Sequence, residues 1–451
     1  MRSQNGEREI YKEVPEADGA KHYHREATSH ERREETSHGS KEQAKKGILH
    51  AGIGYKILLI LMLVTAVLVV ASLILMNSFP ADLTIAIIVL MIGMLFIAAF
   101  LMGRSAKWKK MTGAVMALLF LVVFGATSYY LGTTYVTLNK MSKGGFSNAE
   151  NSKHSIDPTK DSFNLYITGI DQWESDKGED LERSDVNMIV TVNPVTKKIL
   201  LTSIPRDAYI KLHTAKQMDK LTHTGIYGVD ETLRTVEDCF DVKLDYYVKM
   251  NFSGARNIIT AMDGIKVYSP YEFDSDIMGY HYKKGWNTLS GKEALYFARE
   301  RHAFEGKDSI RVENQQRVVK AVIKKMTSSP ALLLDYGVIM NEAGDNLHTD
   351  MSYDEISDLV RMQLTDLSSW DIETQKIEGY YDQEYVASMA PVNKYDVYKC
   401  YPGSVRMCAD SIRETMHPSN EELMKSKNKR SRSFFVNAVK RLMNREEDQK
   451  E

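Results

Sequence analysis

Cysteine is scarce in this chain: three among 451 residues. None stands with a histidine at the spacing of a zinc site, so a zinc module is excluded. Cys400 and Cys408 are close enough in sequence for a local disulfide, and Cys239 reads as a small buried hydrophobe on a stretch of helical spacing. A surplus of charge is equally lacking. The formal net charge is −2, and no global field marks a nucleic-acid binder. The chain also has no Gly-x-x-x-x-Gly-Lys-Ser/Thr loop for nucleotide phosphates, no Gly-x-Ser-x-Gly elbow and nothing like a kinase catalytic loop.

What it does have is long apolar runs. Residues 57–76, 83–102 and 111–131 are uncharged throughout, and about twenty apolar residues span a hydrocarbon core. The first run starts too far from Met1 for a cleaved signal peptide. Lys45, Lys46 and Lys56 precede the first run, and Arg104, Lys107, Lys109 and Lys110 lie between the second and third. Residues 77–82 carry no lysine or arginine. Since positive loops stay in the cytoplasm, the expected topology is a multi-pass cell-membrane protein of three spans with its N-terminus cytoplasmic. Everything after about Tyr135 is then extracytoplasmic.

Composition divides the chain further. Residues 1–50 are polar and mixed in charge, which predicts a disordered cytoplasmic arm. Residues 51–138 hold the three transmembrane helices. Residues 139–160, with Gly144, Gly145 and Pro158, read as an extracytoplasmic linker. A compact domain occupies 161–416, and 417–451 form a polar basic tail in which 434–443 can make a short amphipathic helix. Within the domain, strand-like runs cover 163–170, 186–192, 198–204, 244–250 and 265–268, and the Asn193-Pro194 turn predicts a hairpin. Helical spacing covers 230–240, 253–262, 291–300, 310–326, 330–341 and 352–367. The expected fold class is α/β, a central mixed β-sheet flanked by helices and preceded by three transmembrane helices.

Arginines and aspartates gather at the ends of these elements. Ile204-Pro205-Arg206-Asp207 closes a strand that proline stops. Asp171 follows another strand end, and Arg183-Ser184-Asp185 opens the next strand. Arg299-Glu300-Arg301 ends a helix, and Asp308, Arg311 and Gln315 recur near one face of the helix after it. Asp308 or Ser309 can cap that helix, whose start favours an anion. Guanidinium groups grip phosphate oxygens two at a time, and magnesium takes one or two carboxylates plus substrate phosphates. The pattern therefore suits a metal-bound pyrophosphate at a membrane surface. Lys220-Leu-Thr-His223 is softer: His223 either contacts a ligand or is a satisfied structural histidine. ATP is scarce outside the cell, so a lipid-linked pyrophosphate fits better as the donor.

Taken in order, Asp171, Arg183-Ser-Asp185, Ser203-Ile-Pro-Arg206-Asp207, Lys220-Leu-Thr-His223, Asp263-Gly-Ile-Lys-Val267, Arg299-Glu-Arg301 and Arg311-x-x-Asn-Gln315-Gln316 resemble the LytR-CpsA-Psr family. The resemblance covers roughly residues 161–327 together with the membrane anchor. It implies a phosphotransferase that moves an anionic glycopolymer from a polyprenyl-pyrophosphate carrier onto peptidoglycan, assisted by magnesium (or manganese). A teichoic acid and a capsule polysaccharide are both candidate polymers. It further implies metal-associated carboxylates at Asp171 and Asp185, and phosphate-gripping arginines at Arg183, Arg206, Arg299, Arg301 and Arg311. Gln315 matches the family's helix glutamine, and Arg206, Asp207 and Asp185 stand as catalytic candidates. Asn314 departs from the pattern, because the family usually has arginine before the Gln-Gln pair. The partners implied are the lipid-linked polymer, peptidoglycan and the bilayer, with no nucleic acid. Two other readings use the same residues: hydrolysis of the polyprenyl-pyrophosphate glycan, and a non-catalytic envelope binding or regulatory protein.

Overall fold

The structure is a computed structural model. It describes residues 53–76, 79–143, 156–170, 183–276, 278–304, 307–334, 336–343, 346–389 and 392–425. The N-terminal arm, Asp171 with the loop after it, and the helix expected at 434–443 lie outside the described residues.

The three apolar runs form helices α1 (Ile53–Met76), α2 (Ala81–Met102) and α3 (Lys107–Lys143). All three are long and apolar enough to cross a membrane. Ala98, Ala117 and Phe120 are fully buried among them, and Gly113 lies so close to Met102 that an added Cβ would stand 2.8 Å from its Cγ. The outward faces leave Leu63, Val67, Phe96 and Val122 exposed. Water penalises such surface and lipid does not. α3 continues to Lys143, into the stretch read as linker. The glycine pair that would stop it comes only at Gly144 and Gly145.

The domain is built on strands β1 (Phe163–Ile170), β2 (Ser184–Asn193), β3 (Lys198–Ser203), β6 (Tyr246–Asn251), β11 (Leu347–Thr349) and β12 (Asp371–Lys376). They form one sheet in the order β11-β6-β1-β2-β3-β12. β1 runs parallel to β6 and antiparallel to β2, β3 antiparallel to β2 and parallel to β12. The expected mixed sheet and the β2–β3 hairpin are both present. In the hairpin turn the Asn193 carboxamide oxygen accepts from the backbone N–H of Val195 and Thr196 at 3.0 and 2.9 Å.

Helices cover both faces, which explains why seven consecutive residues of β2 are buried. Tyr166, Ile189 and Leu200 pack on Val236 and Phe240 of α4 (Val229–Phe240) and Ile412 of α11 (Pro402–Met416). Met188, Val190 and Leu201 point the other way, as alternation demands. They meet Val319 and Ile323 of α7 (Lys307–Ser328) and Leu359 of α10 (Tyr353–Asp366). Between these lie α5 (Phe252–Ala261), β7 (Ile265–Ser269), the short pair β8 (Phe273–Asp274) and β9 (His281–Tyr282), β10 (Gly285–Leu289) and α6 (Gly291–Arg299). The helix expected at 330–341 is two pieces, α8 (Pro330–Leu334) and α9 (Tyr336–Ala343). Two hairpins complete the domain, β4 (Tyr209–Lys211) with β5 (Met218–Lys220) and β13 (Gly379–Glu384) with β14 (Tyr395–Cys400).

Register puts five strand termini, the ends of β1, β3, β6 and β12 and the start of β2, at one end of the sheet. Ile170 at the end of β1 pairs with Ser184 at the start of β2 and with Asn251 at the end of β6. Ser203 at the end of β3 lies beside Lys376 at the end of β12. At the β11 side, the domain grips the apolar bundle. The Tyr135 and Tyr353 rings meet edge to face at 5.1 Å, and the Tyr353 hydroxyl donates to the Met76 carbonyl at 2.5 Å. Gly337 sits against Thr134 with no room for a Cβ.

Cys239, Cys400 and Cys408 are all free thiols, so the Cys400–Cys408 disulfide left open by the sequence is not formed.

Candidate active site

β3 ends at Ser203, and the chain continues along β2 through the Ile204 N–H to Asn187 carbonyl bond before Pro205 breaks the ladder. Arg206 then turns back across the sheet edge. Its Nη1 donates to Asp185 Oδ1 at 2.6 Å, and its Nε stands 3.4 Å from Asp207 Oδ2. The Lys220 ammonium reaches Asp207 Oδ1 at 3.2 Å. Burial disfavours the Arg206 cation, but Asp185 and Asp207 outweigh it and hold the guanidinium more firmly protonated than usual.

The second half comes from the first turn of α7. Asp308 Oδ1 lies 3.2 Å from Arg311 Nη2 and 4.0 Å from Arg301 Nη1, and Oδ2 accepts from the Tyr381 hydroxyl at 3.1 Å. Arg311 is buried, which lowers its pKa. Asp308 and Asp185 oppose that shift, and Arg206 and Arg301 reinforce it. Three guanidiniums and the carboxylates of Asp185 and Asp308 thus feel one another beside a cavity of about 40 Å³. Arg206, Asp207, Asp308, Arg311, Lys376 and Tyr381 line it.

Several atoms here are buried without a hydrogen-bond partner: Arg206 Nε, Arg311 Nε and Asp308 Oδ1. An unsatisfied buried donor costs roughly 1–3 kcal/mol, more when charged. Two arginines, each with a buried Nε–H that has no hydrogen-bond partner, line one small polar cavity, and such a lining favours an occupant rich in acceptor oxygens. The described carboxylates form no cluster of three or more metal ligands. A magnesium ion needs fewer when a phosphate supplies the rest. Asp308 Oδ1, with no hydrogen bond of its own, and Asp185 fit that smaller demand.

The other expected residues are placed differently. The Arg299 guanidinium lies 4.7 Å from the centroid of the Phe252 ring, just beyond the end of β6. It shares the sheet edge with Arg206 but stands three strands away, ~14 Å at the usual strand spacing. Arg183 is exposed at the entrance to β2, beside Ser184. Gln315 is buried one turn beyond Arg311. Asn314, the departure from the family pattern, is also buried, with Oδ1 accepting from Arg317 and Nδ2 unpartnered. His223 is a structural residue: its Nδ1 meets Asp219 Oδ1 at 2.7 Å and Ser388 Oγ at 2.9 Å, deep in the domain.

Three parts of the site were not among the expected site residues. Lys376 ends β12, and its ammonium donates to Ser309 Oγ at 2.7 Å and Glu313 Oε1 at 2.8 Å. Tyr381 and Tyr398 stand on the β13–β14 hairpin, docked beside Asp207 through the Tyr398 N–H. The third is Glu300, between the two expected arginines. Its carboxylate collects backbone N–H groups from Asp276, Arg301, His302 and Ala303 at 2.8–3.1 Å, and it fixes the loop that carries Arg301.

Comparison with known proteins places these residues in context. The LytR_cpsA_psr family model matches residues 128–401. The polyisoprenyl-teichoic acid–peptidoglycan teichoic acid transferase TagT of Bacillus subtilis is 34% identical over 295 residues, which cover 61% of this chain and 87% of TagT. The transferase of the same description, TagU, from Bacillus licheniformis is 31% identical over 267 residues, 57% of this chain and 83% of TagU. Among solved structures, B. subtilis TagV superposes with a TM-score of 0.48 at 27% identity, covering 58% of this chain and 99% of TagV. TagT bound to LIIa-WTA also gives 0.48, at 28% identity, covering 61% of this chain and 98% of that one.

Proposed function

The chain belongs to the LytR-CpsA-Psr family, and from that premise we propose that it transfers an anionic glycopolymer from a polyprenyl-pyrophosphate carrier onto peptidoglycan, outside the cell and at the membrane. The observation that carries the reading is that Arg206 and Arg311 line one small polar cavity, each with a buried Nε–H that has no hydrogen-bond partner, while Arg301 stands beside them across Asp308. A diphosphate would bring acceptor oxygens to that cationic cavity. The relatives' names point to a teichoic acid as the polymer.

In the proposed step a peptidoglycan hydroxyl oxygen bonds to the polymer-side phosphorus. The bond from that phosphorus to the bridging oxygen breaks, and polyprenyl phosphate leaves with the bridging oxygen. Such transfer depends mostly on positioning and charge neutralisation. Arg206 and Arg311 hold the non-bridging oxygens, and Arg301, 4.0 Å from Asp308, adds positive charge nearby. Asp185 keeps Arg206 oriented through its 2.6 Å bond. Asp185 and Asp207 both flank Arg206, and either carboxylate can take the hydroxyl proton; asparagine variants of each will separate them. Asp185 and Asp308 would hold magnesium, which neutralises phosphate charge when bound. Arg183 and Arg299, farther along the same edge, would meet the parts of the donor beyond the diphosphate.

Three apolar helices suit a substrate whose lipid begins in the bilayer. Their basic flanking loops support an extracytoplasmic position for the domain, which protease treatment of intact cells will check.

Replacing Arg206 with alanine is expected to lower transfer by ~10²–10³-fold, the usual effect of losing one charge-stabilising donor. Labelled polymer carried to peptidoglycan by the full chain in liposomes gives the rate, and a circular-dichroism melt checks folding. Transfer at the wild-type rate would overturn the assignment. Release of free polymer with acceptor present would instead identify a hydrolase.

A further inference from the structure

One flank of α7 opens into a groove of about 530 Å³ that the transfer step does not use. Its walls are α7, the β7–β10 ribbon and the edge strand β12. Arg317, Lys320 and Lys324 line it from the helix, at i, i+3 and i+7 and therefore on one face. Lys266 enters from β7 and Lys376 from β12, so five cations face one carboxylate, Glu313. That carboxylate is already taken by Arg317 at 2.9 Å and Lys376 at 2.8 Å. Lys266 and Lys324 have no ion-pair partner among the described residues.

Beside the cations stands an aromatic platform. Trp286 is 67% exposed and Tyr268 48%. Their rings meet edge to face at 5.5 Å, with the Lys324 ammonium 5.9 Å from the Trp286 centroid. Aromatic faces of this kind stack on apolar ring surfaces. Lys376 lines both this groove and the arginine cavity, so the two are neighbours. From Arg311 to Lys324 the helix rises ~20 Å, at 1.5 Å per residue.

We propose that this groove holds the anionic polymer portion of the donor, the repeats that follow the pyrophosphate, with sugar rings on the Trp286–Tyr268 platform and phosphate or carboxylate groups on Lys266, Lys320 and Lys324. The proposal rests on the transferase reading and adds to it where the polymer runs. A lipid headgroup layer fits less well. β12 is the sheet edge opposite β11, the strand that α3 touches. Five strand spacings, ~24 Å, separate them.

The test uses the full chain in lipid nanodiscs, with Lys266→Glu combined with Lys324→Glu, and separately Trp286→Ala. Each is assayed with donors bearing the same polyprenyl pyrophosphate but a long anionic chain or only the first sugars. The charge variant should raise KM for the long donor by about tenfold, with the penalty shrinking on the short donor and fading in high salt. An equal KM for wild type and variant on the long donor, or an equal shift on both donors, overturns the proposal. Independently of turnover, soluble poly(glycerol phosphate) should bind wild type and bind the charge variant more weakly, while neutral dextran of the same length should bind neither. Dextran binding as well as the polyanion, or a loss confined to anionic vesicles, overturns it too. Wild type that transfers from neither donor would sink the transferase reading, and the poly(glycerol phosphate) measurement would still decide the groove. Both lysines and Trp286 are exposed, so the variants should fold, and melts will check it.

Discussion

Glu300 shows how a residue with no role in the chemistry can decide where the chemistry happens. Burial would raise its pKa, but the surrounding N–H groups outweigh that and hold the carboxyl below its usual range. A depressed folded pKa means that the stabilisation is present above the unfolded value and is lost as pH falls through the folded one. Glu300→Gln should therefore cost about 1.5–3 kcal/mol at neutral pH, and the gap to wild type should narrow below pH ~4. Melting curves across pH will test this; a gap constant down to pH 3 would refute it. The arginines on either side were legible from their spacing, whereas Glu300 looked like one more charge in a charged run. The thiols teach the opposite lesson. Cys239, Cys400 and Cys408 are free thiols, so sequence proximity of Cys400 to Cys408 signified packing and not a bond, and burial pushes Cys239 and Cys400 up to about 11 and about 12.

Among the elements, legibility followed burial pattern. β1, β2 and β3 were readable because their apolar residues fill both faces of a covered sheet, and α4, α5, α6 and α10 because a single apolar stripe turns inward. β12 was missed: in Asp-Ile-Glu-Thr-Gln-Lys only Ile372 is buried, as befits an edge strand. β13 has no buried residue to give period two a signal, and α11 hides its stripe behind the small side chains Ser404, Cys408 and Ala409. β12, β13 and its partner β14, likewise unread, supply Lys376, Tyr381 and Tyr398, so the C-terminal wall of the site was the part the sequence withheld. α6 was readable and carries Arg299 in its last turn. It starts with a reciprocal cap, in which the Ser290 side chain accepts from the Glu293 N–H and Glu293 accepts from the Ser290 N–H. Ser290→Ala should cost about 1 kcal/mol. Thermal unfolding of the full chain is the measurement, and an unchanged midpoint would mean that tertiary packing alone holds the helix.

At the scale of the whole molecule, the apolar bundle and the domain share one continuous hydrophobic cluster. Gly337 is the tightest point, since a Cβ there would lie 2.0 Å from Thr134 Cγ2 on α3. Gly337→Leu should break the seam at a cost of about 1–3 kcal/mol, and Thr134→Ala should recover part of it. Cross-linking between Tyr135→Cys and Tyr353→Cys reports the seam directly; an undiminished yield in the leucine variant would show that the two bodies yield around the bulk. The sequence showed the spans and the domain but not this joint, because Tyr135, Gly337 and Tyr353 only gain meaning when brought together. On the proposed function, the joint has a reach of its own to impose. An enzyme whose head is seated on its stem works near one altitude above the lipid, so the innermost glycan strands are the ones within range. The age of a strand, more than its chemistry, then decides whether it is decorated: new material is within grasp, and older layers pushed outward have left the workbench.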